Sequence, residues 1–152
     1  MSWDHRWLSL AAHYATWSKD RSRKVGAVIV GARQVQLSQG WNGFPRGVND
    51  EAPERHDRPA KYSWTEHAER NAIFNAAAEG IRLRGSTMYL AGDVAFPCAD
   101  CARAIVQAGI EELVCGVPLP ADEHFAHDVA ASILSEGCVH VRRPVPAILE
   151  AA

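Results

Sequence analysis

Residues 96–110 read FPCADCARAIVQAGI, two cysteines three positions apart with a helical pattern starting on top of them. Cys98 falls at the start of that helix and Cys101 one turn further in, so both sulfurs can face one point beyond the helix end. Backbone N–H groups and the helix dipole at such an end stabilise negative sulfur. A redox dithiol, half of a structural zinc site and part of a catalytic zinc site would all use this arrangement. The chain has four cysteines in 152 residues, at positions 98, 101, 115 and 138. That is too sparse for a secreted disulfide framework, and the cytoplasm is the expected compartment.

A second helix start discriminates among the three. The stretch TEHAERNAIFNAAAEG from Thr65 has a possible Thr cap, an alanine-rich interior and a glycine stop. His67 and Glu69 lie in its first turn. Two residues apart they do not share a helix face, but both can border a pocket at its end. One imidazole and two thiolates form a known catalytic zinc set that leaves the fourth position for water, whereas a structural site fills that position with another protein ligand. Glu69 then has work that a dithiol site would not give it: moving a proton from water to a ring nitrogen. The pairing of H-x-E with P-C-x-x-C is the signature of zinc deaminases.

Around these two helix starts the chain reads as one unit over 1–152. Trp3, Trp7, Leu10, Ala11, Tyr14 and Trp17 recur at helical spacing, an aromatic stripe expected to pack in the core. VGAVIV from Val25, a GARQ turn and VQLSQGWNG predict a hairpin. Residues 44–64 lose all pattern, with three prolines and one glycine, and read as a long substrate-side loop. STMYLAG, ELVCGV and CVHVRR read as strands, and DEHFAHDVAASILSEG as a final long helix. Helices between strands imply parallel crossovers. The fold class expected is α/β: a three-layer α-β-α sandwich around a mixed five-stranded sheet.

Composition narrows the function. Sixteen basic and eighteen acidic residues give a formal charge of −2, which argues against a grip on long nucleic acid. No apolar run approaches a membrane span, and the N-terminal stretch lacks the pattern of a signal peptide. Cys115 and Cys138 sit in strand patterns and are expected to be buried free thiols. His5, His13, His127 and His140 are expected to be structural or surface residues.

RSRKVGAVIV, GWNGFPRG, HAERNAI and FPCADCARAIVQAGI occur in that order between Arg21 and Ile110, and together resemble the deoxycytidylate deaminases of the cytidine deaminase-like superfamily. The resemblance implies one catalytic Zn2+ held by His67, Cys98 and Cys101, with Glu69 as proton shuttle. It implies hydrolysis of a nucleoside monophosphate, most simply dCMP to dUMP and ammonia, by a homodimer or larger assembly. It also places Asn42 on the sugar hydroxyl, with Phe44 in the same pocket motif. Arginine offers a planar fork to a phosphate. Arg21, Arg23, Lys24, Arg46, Arg55, Arg58 and Lys61 are the candidates, Arg46 first because it follows the pocket motif, with Arg23 and Lys24 next.

The match departs in three places. AGDVAFPC is longer than the family's usual connection, and its Gly92–Ala95 stretch lies beside the metal. CGVPLPADEHF lacks a Tyr-His feature, leaving Phe125 or His124 as candidates to stack on a base. The 44–64 loop holds His56 and no cysteine, so a second, structural zinc is not expected. These departures leave open a modified pyrimidine or a purine nucleotide, a nucleoside, a free base or an RNA base as substrate. A zinc-stabilised binding or assembly module is the non-catalytic alternative.

Overall fold

The apolar run at Val25 becomes β1 (Val25–Gly31), and every residue in it but the last is buried. Such a run has no polar face because both sides of the strand are covered. The structure, a computed structural model, describes residues 1–118 and 124–144. β1 turns through Ala32–Gln34 into β2 (Val35–Trp41), its antiparallel partner, with a register shift between Ile29 and Val30. β3 (Thr87–Gly92) pairs antiparallel with β1 on its other side. β4 (Glu112–Val114) and β5 (His140–Arg142) follow in parallel, giving the order β2-β1-β3-β4-β5. The sheet is mixed and five-stranded, as the sequence predicts.

Alternate residues of β1 feed two cores. Val28 and Val30 pack with Tyr89, Val114 and Ala11 beneath α1 (Trp3–Ala15). Ala27 and Ile29 pack with Met88, Leu90 and Leu113 beneath α3 (Ala68–Ala78) and α4 (Ala99–Gln107). α5 (His127–Glu136) adds Ala130 and Leu134 to this second core. Two glycines let the helices approach: a Cβ on Gly26 would stand 2.0 Å from the Ala11 carbonyl oxygen, and one on Gly40 would stand 2.4 Å from the Ala72 nitrogen. α3 meets the sheet through Ala68, Ala72 and Ala76, each fully buried. Its Asn71 and Asn75 amides donate to the carbonyls of Trp41 and Gln39, covering the edge strand β2. At the opposite side Arg142 reaches back to Asp4 of α1 at 2.7 Å and also bonds Glu112, while Tyr89 donates to Asp4.

Five expectations change. Trp3 and Trp17 are half exposed, because α1 lies on the sheet through the small residues Ala11 and Ala15 rather than its largest rings. The 44–64 segment contains a short turn of helix at Pro53–Arg55 and the one-turn helix α2 (Lys61–Trp64). Thr65 closes α2, its N–H and hydroxyl both bonding the Lys61 carbonyl, so α3 starts later, with His67 at its N-cap. Cys138 is exposed in the turn after α5 at φ 58°, whereas Cys115 is buried. The expected start of the last helix includes Asp122 and Glu123, which lie outside the described residues; the described helix starts at His127. No helix among the described residues is long and apolar enough to cross a membrane.

Candidate metal centre and substrate cavity

Two helix starts meet at the site. Cys98 is the N-cap of α4 and His67 the N-cap of α3, both in extended backbone. The Cys98 sulfur accepts the Cys101 N–H at 3.5 Å, the role an N-cap oxygen usually plays. An antiparallel bridge between Gly43 and Glu66 brings the chain after β2 alongside the residue preceding His67, and the Ala99 N–H bonds the Phe125 carbonyl at 3.0 Å. His67 is thereby carried to the two sulfurs, its Nδ1 lying 3.4 Å from Cys98 Sγ and 3.5 Å from Cys101 Sγ.

These separations fit a shared ion. Tetrahedral zinc with ordinary Zn–S and Zn–N bonds sets sulfur and nitrogen about 3.6 Å apart. His67, Cys98 and Cys101 are the one group of three such side chains among the described residues whose donor atoms converge, all within 4.8 Å. The three groups are electrostatically coupled. Hydrogen bonding from Cys101, joined by His67, pulls the Cys98 thiol down to about 4 against burial. The bond with Cys98, with burial, pushes the Cys101 thiol well up. The Cys98 sulfur likewise raises the His67 imidazole against its burial. The pair thus holds one negative charge, on Cys98, and a bound cation would let Cys101 ligate as a thiolate too, in a donor set of one imidazole and two sulfurs.

Glu69 stands one step into α3, 4% exposed, on the wall of a cavity shared with His67 and Cys98. Burial raises its pKa, with His67 opposing. Val94 and Phe96, in the connection from β3 to α4, form part of the apolar wall. Asp93 ties that connection to β1: it accepts the Lys24 N–H, and its own N–H bonds the Lys24 carbonyl. Phe125 closes another side, its ring centre 6.2 Å from that of His67, backed by a stacked His127 at 5.4 Å. The Arg23 guanidinium sits over the Phe125 ring at 5.1 Å.

The remaining sequence candidates divide. Asn42 lines the cavity and also braces it: Oδ1 accepts the Val25 N–H and Nδ2 donates to the Arg23 carbonyl, both at 2.9 Å. Each amide end retains capacity for one more bond. Arg23 lines the cavity, together with Arg58 and Lys61. Phe44, Arg46 and Lys24 do not. Phe44 turns onto His56, ring centres 4.8 Å apart, in a neighbouring hollow. Arg46 bonds Asn75 of α3, where the helix borders β2, and Lys24 sends its ammonium to the Ser18 carbonyl at 2.7 Å. The chain passes from Asn42 out of the cavity at Gly43, where the bridge to Glu66 turns it, so neighbours in sequence are not neighbours at the site. Of the stacking candidates, Phe125 borders the cavity, while the exposed His124 ring packs on Tyr62. Val94, Phe96 and Tyr62 also line the cavity without having been marked by any spacing signal.

One imidazole, two sulfurs and a buried carboxylate at two helix starts beside a mixed sheet define an α/β metal-site protein with a cavity beside the donor atoms. Residues 1–117 match the family model of the cytidine and deoxycytidylate deaminase zinc-binding region, and the chain belongs to that family. It is 40% identical over 113 residues to an uncharacterised deaminase in the luxG 3′ region of Aliivibrio fischeri, covering 74% of this chain and 71% of that one. It is 36% identical over 119 residues to the human deoxycytidylate deaminase, covering 75% of this chain and 64% of the human one. The chain thus spans somewhat under two thirds of the human relative's length. Among solved structures, the dCMP deaminase of cyanophage S-TIM5 superposes with a TM-score of 0.73 at 25% identity, over 93% of this chain and 96% of the phage protein.

Proposed function

We propose that this chain is a zinc-dependent hydrolytic deaminase of a nucleoside monophosphate, dCMP first, giving dUMP and ammonia. The observation that carries the reading is Glu69, buried on the cavity wall beside His67, Cys98 and Cys101. Zinc on these three ligands supplies Lewis-acid activation of water at neutral pH. Glu69 moves both protons of the water consumed, one to ring N3 and one to the leaving amine. A C–O bond forms at C4, the C–N bond breaks, and the products are the uracil ring and ammonia.

Other residues hold the nucleotide. Phe125 offers an apolar face to the base, stiffened by His127 behind it. Asn42 turns its spare amide capacity to the sugar hydroxyl. Arg58 and Arg23 border the cavity with guanidinium forks, and Arg58, exposed at its rim, is the cation assigned to phosphate. Phe44, Arg46 and Lys24 receive no substrate contact. A cytoplasmic homo-oligomer goes with a soluble nucleotide substrate and with the family resemblance; light scattering on purified protein tests the assembly.

The decisive experiment is ammonia release from zinc-loaded protein across dCMP, 5-methyl-dCMP, CMP, deoxycytidine, cytosine, dAMP and dGMP. Preference for dCMP over deoxycytidine is expected, narrowed by Arg58→Ala. Turnover of a purine nucleotide alone overturns the substrate and keeps the chemistry. Silence on all seven with zinc bound overturns the enzyme reading.

A further inference from the structure

Lys61 borders the cavity with its charge already engaged. It opens α2 and is only 6% exposed. Its Nζ donates to Asp20 Oδ1 at 2.9 Å, Asp20 Oδ2 at 2.7 Å and Ser22 Oγ at 2.7 Å. An ammonium has three hydrogens, and all three are used. The Asp20 side chain is 7% exposed, and its Oδ1 also accepts the N–H groups of Ser22 and Arg23 at 2.8 and 3.1 Å. The pair joins positions 41 apart in sequence, one in the connection from α1 to β1 and one in the 44–64 segment. Both connections line the cavity, through Asp20 and Arg23 on one side and Arg58 and Tyr62 on the other. A second tie between them, Lys19 to Asp50 at 2.7 Å, has its lysine 71% exposed and adds little.

The effect of the pair extends inward. The Arg23 carbonyl, in the turn that Asp20 organises, receives the Asn42 amide, and the Val25 N–H completes that grip. One carboxylate therefore fixes the ammonium of α2, the turn at 20–23 and the backbone that orients Asn42.

We infer that Asp20 and Lys61 are positioning residues, a buried latch that seals the 44–64 segment over the cavity and aligns Asn42, and that Lys61 does not read the substrate's phosphate. The kinetic part rests on the deaminase reading; the latch itself does not. Removing one partner strands the other charge in a buried place, which costs more than removing both.

The test compares Lys61→Met, Asp20→Asn and the double variant with wild type. It measures kcat and KM on dCMP and deoxycytidine, zinc content, and amide hydrogen exchange across 44–64. Each single variant is expected to raise KM on both substrates alike, by about 10-fold given couplings typical of touching residues. kcat and zinc content should hold, because Glu69 and the ligands hang on α3 and α4. Exchange across 44–64 should quicken, and the double variant should be milder than the two singles combined. Should Lys61→Met fail to fold, Asp20→Glu, which keeps the charge and shifts it by one methylene, carries the same comparison. Loss of dCMP turnover with deoxycytidine spared in Lys61→Met would make Lys61 the phosphate reader and overturn the inference. Unchanged exchange in both single variants would overturn it too. If wild type turns over no substrate, the functional reading fails and exchange alone decides the latch.

Discussion

Asp20→Asn should make the protein less stable at neutral pH and less sensitive to acid, by an amount that follows from the latch. Burial alone would raise the Asp20 carboxyl, but hydrogen bonds from Lys61 and from the Ser22 and Arg23 N–H groups outweigh it, bringing the pKa from an ordinary 3.8 to about 2. A carboxylate whose pKa is lower in the folded chain contributes stability above its unfolded value and loses it as pH falls toward the folded one. At about 1.36 kcal/mol per pH unit, the full contribution is roughly 2.4 kcal/mol. Little of it is gone at pH 5, about 1 kcal/mol by pH 3, and about 2 kcal/mol by pH 2. For a chain of this size 1 kcal/mol moves Tm by about 3 °C. Thermal melts of both proteins, with chelator present so that the metal site contributes equally, should show the gap between them close by about 3 °C from pH 5 to pH 3. Parallel Tm curves down to pH 3 would refute the charge assignment at Asp20.

Glu69→Gln should retain zinc and the fold while ammonia release falls about 10²- to 10⁴-fold, the range for losing a general acid–base; metal content and rate measured on one sample check both halves. Cys101→Ser should lose zinc and activity together, because a serine hydroxyl does not replace a buried thiolate donor; elemental analysis reads the first and the ammonia assay the second. Gly26→Ala should destabilise by about 1–3 kcal/mol through overpacking, since its methyl would enter the space of the Ala11 carbonyl. Its Tm should drop by roughly 3–9 °C.

The pattern of the sequence carried further at the metal than at the substrate. Cys98, Cys101, His67 and Glu69 lie within a turn of two helix starts, so local spacing alone brings each pair to its helix end. The two-faced burial of β1 is equally legible, because an uninterrupted apolar run has one physical explanation. Phosphate candidates ranked by nearness to a motif fared differently: Arg46 follows Asn42 by four residues, yet Gly43 pairs with Glu66 and the chain leaves the cavity there. Lys61 and Asp20 meet across 41 residues, and no local signal reports such a contact. Thr65 looked like a cap because threonine caps helices, but it ends one helix rather than starting the next. Cys138 read as buried from its place at the start of a strand pattern, whereas the chain turns there at positive φ and leaves the thiol outside.

That Cys98 and His67 are both N-caps has a consequence for how tightly the metal is held. A ligand on a free loop must be ordered when the ion arrives, and the lost conformational freedom is subtracted from affinity. Here the backbone at both positions is already committed by α3 and α4, which are pinned beneath the sheet by buried alanines and Ile105. Folding has therefore borne much of the entropy of assembling the site before any ion binds, and what the ion still has to displace is the protons on the Cys101 thiol and the His67 imidazole.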